Sequence, residues 1–149
     1  MRHLVSVIII GSFLTIACNR VTQDNKAKNH MEQEAILVIK KLHKAMNEHN
    51  LDAMIDCVDP DYISEQPFYP ARNFVGQEQM RNNWTQIWSD YPDFASNLKR
   101  YSVSNDTIWL EWHWTGTKDS THLNVVGVAI FKINERRIIN GRLFMNPVE

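Results

Sequence analysis

Residues 107–115 (TIWLEWHWT) hold three of the chain's five tryptophans, and no other segment narrows the possible folds so far. Branched and aromatic side chains in such density fit the pleated surface of a β-strand. Successive side chains on a strand point to opposite faces, so Leu110, Trp112 and Trp114 share one face. Trp109, Glu111 and His113 share the other. A strand this bulky needs neighbouring strands and a covering layer to bury it.

The flanking sequence supplies both. Residues 98–103 read as a strand running into the turn Ser104-Asn105-Asp106, and Gly116 follows the Trp-rich run. Residues 123–133 (LNVVGVAIFKI) and 137–146 (RIINGRLFMN) are two more strands, joined through Asn134-Glu135-Arg136. Upstream, Ala35, Val38, Ile39, Leu42 and Met46 form one stripe of an amphipathic helix over residues 31–49. Asn50 reads as the N-cap of a second, short helix bearing Leu51, Met54, Ile55 and Val58, which Pro60 ends. Residues 61–66 (DYISEQ) fit a strand, and 67–76 (PFYPARNFVG) a loop with aromatic plugs. A third helix over 77–90 carries Met80, Trp84, Ile87, Trp88 and Tyr91 on one face and stops at Pro92. The order α-α-β-α-β-β-β-β predicts an α+β fold, with three N-terminal helices packed on a curved, mostly antiparallel sheet.

Composition bounds function. A formal net charge of −1 with no Lys/Arg run excludes a nucleic-acid surface. Two cysteines exclude a disulfide-stapled miniprotein. Residues 1–17 read as a signal peptide: Arg2 precedes an apolar run from Leu4 to Ala17 that is too short to span a bilayer as a helix. Thr15-Ile16-Ala17-Cys18 resembles the bacterial lipobox, with Thr15 where Leu is usual, so Cys18 is the expected lipidation site. The expected location is the bacterial cell envelope, with a lipid anchor in the membrane, and Asn19 after the Cys favours the outer membrane. The alternative is a secreted or periplasmic protein with Cys18 as a free thiol. Residues 18–29 are polar and aperiodic and read as a flexible tether, leaving 30–149 as the domain. Cys57 sits among apolar neighbours on a helical pattern and reads as a small buried hydrophobe.

The segments NLDAMIDCVDPDYISEQP (50–67), GQEQMRNNW (76–84), PDF (92–94), DTIWLEWHWTGT (106–117), VVGVAIFKINERRI (125–138) and RLFMNPVE (142–149) resemble, in order and spacing, the SnoaL-like family of the nuclear transport factor 2-like superfamily. That resemblance implies the cone fold shared with ketosteroid isomerase, an apolar cavity on the concave side of the sheet, and a homodimer. It places Tyr62, Ser64, Gln66, Leu110, Trp112, Trp114, Gly127, Phe144 and Asn146 on the concave side, with Trp84 and Trp88 capping the cavity from the third helix. It also shows what is missing. The isomerase base falls at Gln66, whose amide has no useful basicity. The oxyanion-hole Tyr and protonated Asp fall at Leu42 and Gly127. Relatives often carry an acid at the position of Asn146, which can only hydrogen-bond.

Other candidates have plain readings. Glu111 faces away from the cavity and suits a rim or interface salt bridge. Asp93 suits a loop tie. His43 and His49 read as solvated. His113 and His122 lack metal-ligand spacing, so no metal and no cofactor is expected. Arg142 either faces inward toward an anionic ligand or pairs with Glu65, Asp93 or Glu78, because an unpaired buried charge is costly. The resulting expectation is an envelope-anchored module binding a small apolar or aromatic ligand among the tryptophans. The alternatives are a cyclase, isomerase or dehydratase with a different acid–base pair (Asp93, Glu65 or His113), and a dimeric scaffold with a filled cone. The anchor is directly testable: the Cys18 peptide from bacterial membranes should carry the added mass of acyl chains, and Cys18→Ser should lose it. A Cys18→Ser protein of unchanged membrane fractionation and unchanged peptide mass would rule acylation out.

Overall fold

The computed structural model describes the backbone of residues 10–148 and side chains from residue 23 onward, apart from Asp24. The signal peptide expected over 1–17 and the acylation site expected at Cys18 lie outside the residues whose side chains are described. Among the described residues no helix is long and apolar enough to cross a membrane.

The elements run α1 (Ile10–Asn47), α2 (Leu51–Ile55), β1 (Val58–Glu65), a single 3-10 turn (Pro70–Arg72), β2 (Phe74–Val75), α3 (Gln77–Asp90), β3 (Ala95–Ser104), β4 (Thr107–Lys118), β5 (Thr121–Asn134) and β6 (Arg137–Pro147). One six-stranded sheet has the order β2-β1-β6-β5-β4-β3. Its pairs are antiparallel except β1 with β6, which run parallel. The helices lie over one face of this sheet.

In α1 the expected stripe is the buried one: Ala35, Val38, Ile39, Leu42 and Met46 are all in the core, joined by Ala45. The backbone of residues 18–29 is helical and continuous with α1, and residues 25–30 are exposed. The i,i+4 pairs Lys28–Glu32 and His30–Glu34 support that turn by a few tenths of a kcal/mol at most. Asn50 caps α2 as its residue type predicts, its side-chain oxygen accepting from Ala53 N–H at 3.0 Å.

β1 starts at Val58, earlier than the residue pattern suggested. Pro60 is tolerated because the β1–β6 register shifts between Val58 and Ile63, so no ladder hydrogen bond is asked of its missing N–H. The end of the expected loop folds back as β2, two residues that pair with Ile63 and Ser64 and are too short to show a period in the sequence. α3 has the expected bounds. β3, β4 and β5 each run three or four residues longer than predicted, because the hairpin ladders extend to their turns, and β6 runs one residue longer.

Cross-strand register stacks the inner face in layers: Ile108, Phe131 and Gly141; Leu110, Ala129 and Leu143; Trp112, Gly127 and Met145; Trp114, Val125 and Pro147. Two glycines keep these layers compatible. A Cβ on Gly141 would stand 2.3 Å from the Tyr62 hydroxyl and 2.7 Å from the Phe131 ring. Gly127 has φ +157°, and a Cβ there would meet the Phe144 carbonyl oxygen at 2.0 Å. That neighbour is backbone and cannot swing aside, so Gly127 marks a close approach of β5 to β6 that only glycine accommodates. Gly127→Ala should therefore cost about 2–3 kcal/mol and lower Tm by roughly 5–10 °C in a thermal melt. An unchanged Tm would show that the close approach does not depend on glycine.

Candidate functional site

Between the helices and the concave face of the sheet lies a cavity of about 870 Å³. Its deep wall is apolar. α1 contributes Leu42 and Met46, α3 contributes Met80, Trp84 and Ile87, and the sheet contributes Trp112, Trp114, Leu123, Val125, Phe131, Leu143 and Met145. Phe94, just before β3, completes it. Trp84 meets Phe94 edge to face at 5.4 Å and Trp114 at 5.6 Å, aromatic geometries each worth about 0.5–1.5 kcal/mol beyond area burial. The mouth is polar. Gln66, Tyr69, Arg72 and Asn73 come from the β1–β2 loop, and Gln79, Asn83 and Gln86 line one flank of α3 at helical spacing.

Of the residues expected in the pocket, Tyr62, Gln66, Trp84, Trp112 and Trp114 line it, as do Ser64 and Leu42. Six do not. Leu110 has the expected orientation but is wholly buried and does not line the cavity. Gly127 has the inward register but no side chain to contribute. Trp88 turns from the cavity and stacks on His49, ring centroids 5.0 Å apart. Arg142, Phe144 and Asn146 are out of phase: the inward positions of β6 are Gly141, Leu143 and Met145, which pair with inward residues of β5, so their neighbours face outward. Arg142 lies 3.3 Å from Glu65 and over the Phe144 ring, the paired alternative rather than the inward one. Phe144 meets Phe68 edge to face. Asn146 accepts a hydrogen bond from the Tyr69 hydroxyl at 2.7 Å, beside the mouth.

The remaining polar candidates are structural. Glu111 pairs with Arg100 at 2.5 Å on the outer face. Asp93 accepts from Thr117 N–H at 2.6 Å, and that hydrogen bond holds its carboxyl below the usual range. His113 bonds Asn124 at 2.8 Å, and His122 is exposed. His43 and His49 correct the solvated reading. Both are half-buried, and they donate to the carbonyls of Ser96 and Phe94 at 2.9 and 3.1 Å, tying the end of α1 to β3. Among the described residues, no three His, Cys, Asp or Glu side chains are placed to hold a metal ion.

The residues missed from sequence are Tyr69, Arg72 and Asn73 in the loop and the Gln79, Asn83, Gln86 flank of α3. The flank was visible as a polar stripe at helical spacing beside the apolar one. The loop had no period to read.

The cavity chemistry is nearly uncharged. Among the described residues no Asp, Glu, His or Lys lines it, and Arg72 is its one formal charge. Burial pushes the Tyr62 phenol up to about 12, against a smaller lowering by its hydrogen bond with Ser64, so it stays a neutral donor at physiological pH. The indole N–H groups of Trp112 and Trp114 are buried with no acceptor among the described residues, a cost of about 1–3 kcal/mol each unless something in the cavity meets them. Beneath α2, burial likewise raises the Cys57 thiol to about 11. Both groups bind protons more tightly folded than unfolded. Their contribution is intact below the ordinary thiol and phenol values and lost as pH climbs through the raised ones. Urea midpoints should therefore fall between about pH 9 and 12, and absorbance at about 295 nm should show Tyr62 ionising last of the four tyrosines. A Tyr62 that ionises with the exposed tyrosines would contradict the buried site.

The sequence profile of the SnoaL-like domain matches residues 39–140. No curated protein matches the chain in sequence. Among solved structures, Bal32a from a soil-derived mobile gene cassette aligns at a TM-score of 0.70 and 16% identity, over 77% of this chain and 91% of that one. A proposed SnoaL-like polyketide cyclase from Jannaschia sp. CCS1 aligns at 0.68 and 16% identity, over 78% and 88%. A LEH-like epoxide hydrolase of M. tuberculosis aligns at 0.68 and 13% identity, over 77% and 84%. At such identities the likeness is one of fold, and it is the α+β cone of the nuclear transport factor 2-like superfamily. With the profile spanning most of the domain, the chain belongs to the SnoaL-like domain family.

Proposed function

We propose that this protein is a binding module, anchored to the cell envelope through Cys18, that holds a small apolar or aromatic molecule in its cone. The observation that carries this reading is the combination of an open cavity with a lining that, among the described residues, holds no carboxylate and no imidazole. General acid–base work needs a group that exchanges protons near neutral pH. The buried phenol of Tyr62 at about 12 is far from that range. Gln66, Leu42 and Gly127 stand where an isomerase would carry its base and oxyanion donors. The volume lies in the upper part of the range of small-molecule sites, roughly 300–1,000 Å³, which argues against a cone filled by its own side chains. The same reading keeps the expected homodimer, for which the convex face offers exposed Trp109 and Val128.

The enzymatic alternative has its support in the neighbours described as an epoxide hydrolase and a proposed cyclase. Its named candidates here, Asp93, Glu65 and His113, are engaged outside the cavity.

Native mass spectrometry of the protein extracted from its own cell membrane should show a co-purified small molecule. A library of apolar and aromatic compounds should raise the Tm of the emptied protein. An empty protein whose Tm no compound shifts would refute the binding reading, and turnover of any library member would favour the enzyme.

A further inference from the structure

The cavity is graded along its length. Its depth is thioether and aromatic: Met46, Met80, Trp84, Trp112 and Met145. Its mouth is carboxamide and hydroxyl, plus one guanidinium. A wholly apolar occupant would leave that mouth unused, whereas a molecule with one polar end would satisfy both zones.

The sign of that end follows from Arg72. Among the described residues it is the only charged one in the lining, and none of their carboxylates opposes it there. Four other arginines are in ion pairs: Arg81 with Asp52, Arg100 with Glu111, Arg136 with Glu34 and Arg142 with Glu65. Arg72 is in none among the described residues. It is instead held by its surroundings. Its guanidinium carbon sits 4.3 Å from the centroid of the Tyr69 ring, and Tyr69 is fixed by its hydrogen bond to Asn146. The loop beneath is braced by Arg72 N–H to Tyr69 carbonyl at 2.8 Å, Tyr69 N–H to Gln66 carbonyl at 2.8 Å, and Gln66 N–H to the Asn73 side chain at 2.7 Å. Across the mouth, Gln79 and Asn83 bond each other at 2.8 Å and present neutral groups. A planar donor fork that is placed in advance, with neutral partners around it, favours an anion and loses little entropy on binding it.

We propose that the cavity selects amphiphiles with a single anionic head, a carboxylate or a phosphate monoester, which Arg72 meets at the mouth while the apolar tail lies against the Met and Trp floor. This rests on the binding-module reading. The test titrates the full chain with dodecanoate, dodecyl phosphate, 1-dodecanol and dodecylammonium, read by tryptophan fluorescence. The wild type is compared with Arg72→Gln, and with Arg100→Gln as an outer-face control of the same charge change. The anions should bind about two- to fivefold more tightly than the alcohol, the size expected of one solvent-exposed charge contact, with the ammonium weakest. Arg72→Gln should erase that order and Arg100→Gln should keep it, and the tighter of the two anions names the head group. An order that survives in Arg72→Gln, or that Arg100→Gln erases equally, overturns the proposal. Equal binding of all four ligands by the wild type overturns it too, while leaving the binding module standing. Failure of all four to bind overturns the proposal as well, and the binding module then stands or falls with the compound library.

Discussion

At the centre of the sheet, Trp112, Gly127 and Met145 stand side by side on adjacent strands, and the middle one has no side chain. At that position β5 lies so close to β6 that a Cβ would run into the Phe144 carbonyl oxygen, so the layer closes only with glycine there. One face of the curved sheet is concave, and the indole of Trp112 lines the hollow. A flat sheet would let the helices pack directly on it, as a two-layer domain ordinarily does. Here the helices close over a hollow instead, and the cavity is what the layers leave between them.

The same geometry sorts the charges. Once the inner face is committed to Leu, Met, Trp and Phe, ionised groups on the sheet stay on the outer face, where water and opposite charges compensate them. Arg142 with Glu65 and Arg100 with Glu111 are the result. These are exposed pairs and add little stability. Their importance is what they leave behind: among the described residues, a cavity lined by neutral side chains with one guanidinium, that of Arg72, at its mouth. The fold of this family hosts many functions, and in this member it retains the space in which a molecule can sit.

Legibility differed from element to element for physical reasons. α3 could be read to its ends because an uninterrupted 3.6-residue stripe lies between Gly76 and Pro92. The Asn50 cap is a local interaction spanning three residues and was visible for that reason. The alternation on β4 assigned Leu110, Trp112 and Trp114 to one face, and they share it. On β6 the alternation was just as clear, but its phase was not. Both faces of that strand are mixed, with Arg142, Phe144 and Asn146 outside and Gly141, Leu143 and Met145 inside, so period alone does not say which set is inward. His43 and His49 misled in another way, since their partners are carbonyls about fifty residues away that no local pattern reports.

By itself, then, the sequence determined the periods: which segments are helix or strand, where caps and prolines end them, and that indole would be concentrated on one strand. Those properties arise between residues a few positions apart. The tertiary structure alone decided the phase of β6, the inward glycines, the tie from the histidines to β3, and the grouping of Arg72 with the α3 carboxamides at one mouth. Each depends on register between distant strands or on a loop folding back, and a one-residue difference in register exchanges the inside of a sheet for its outside.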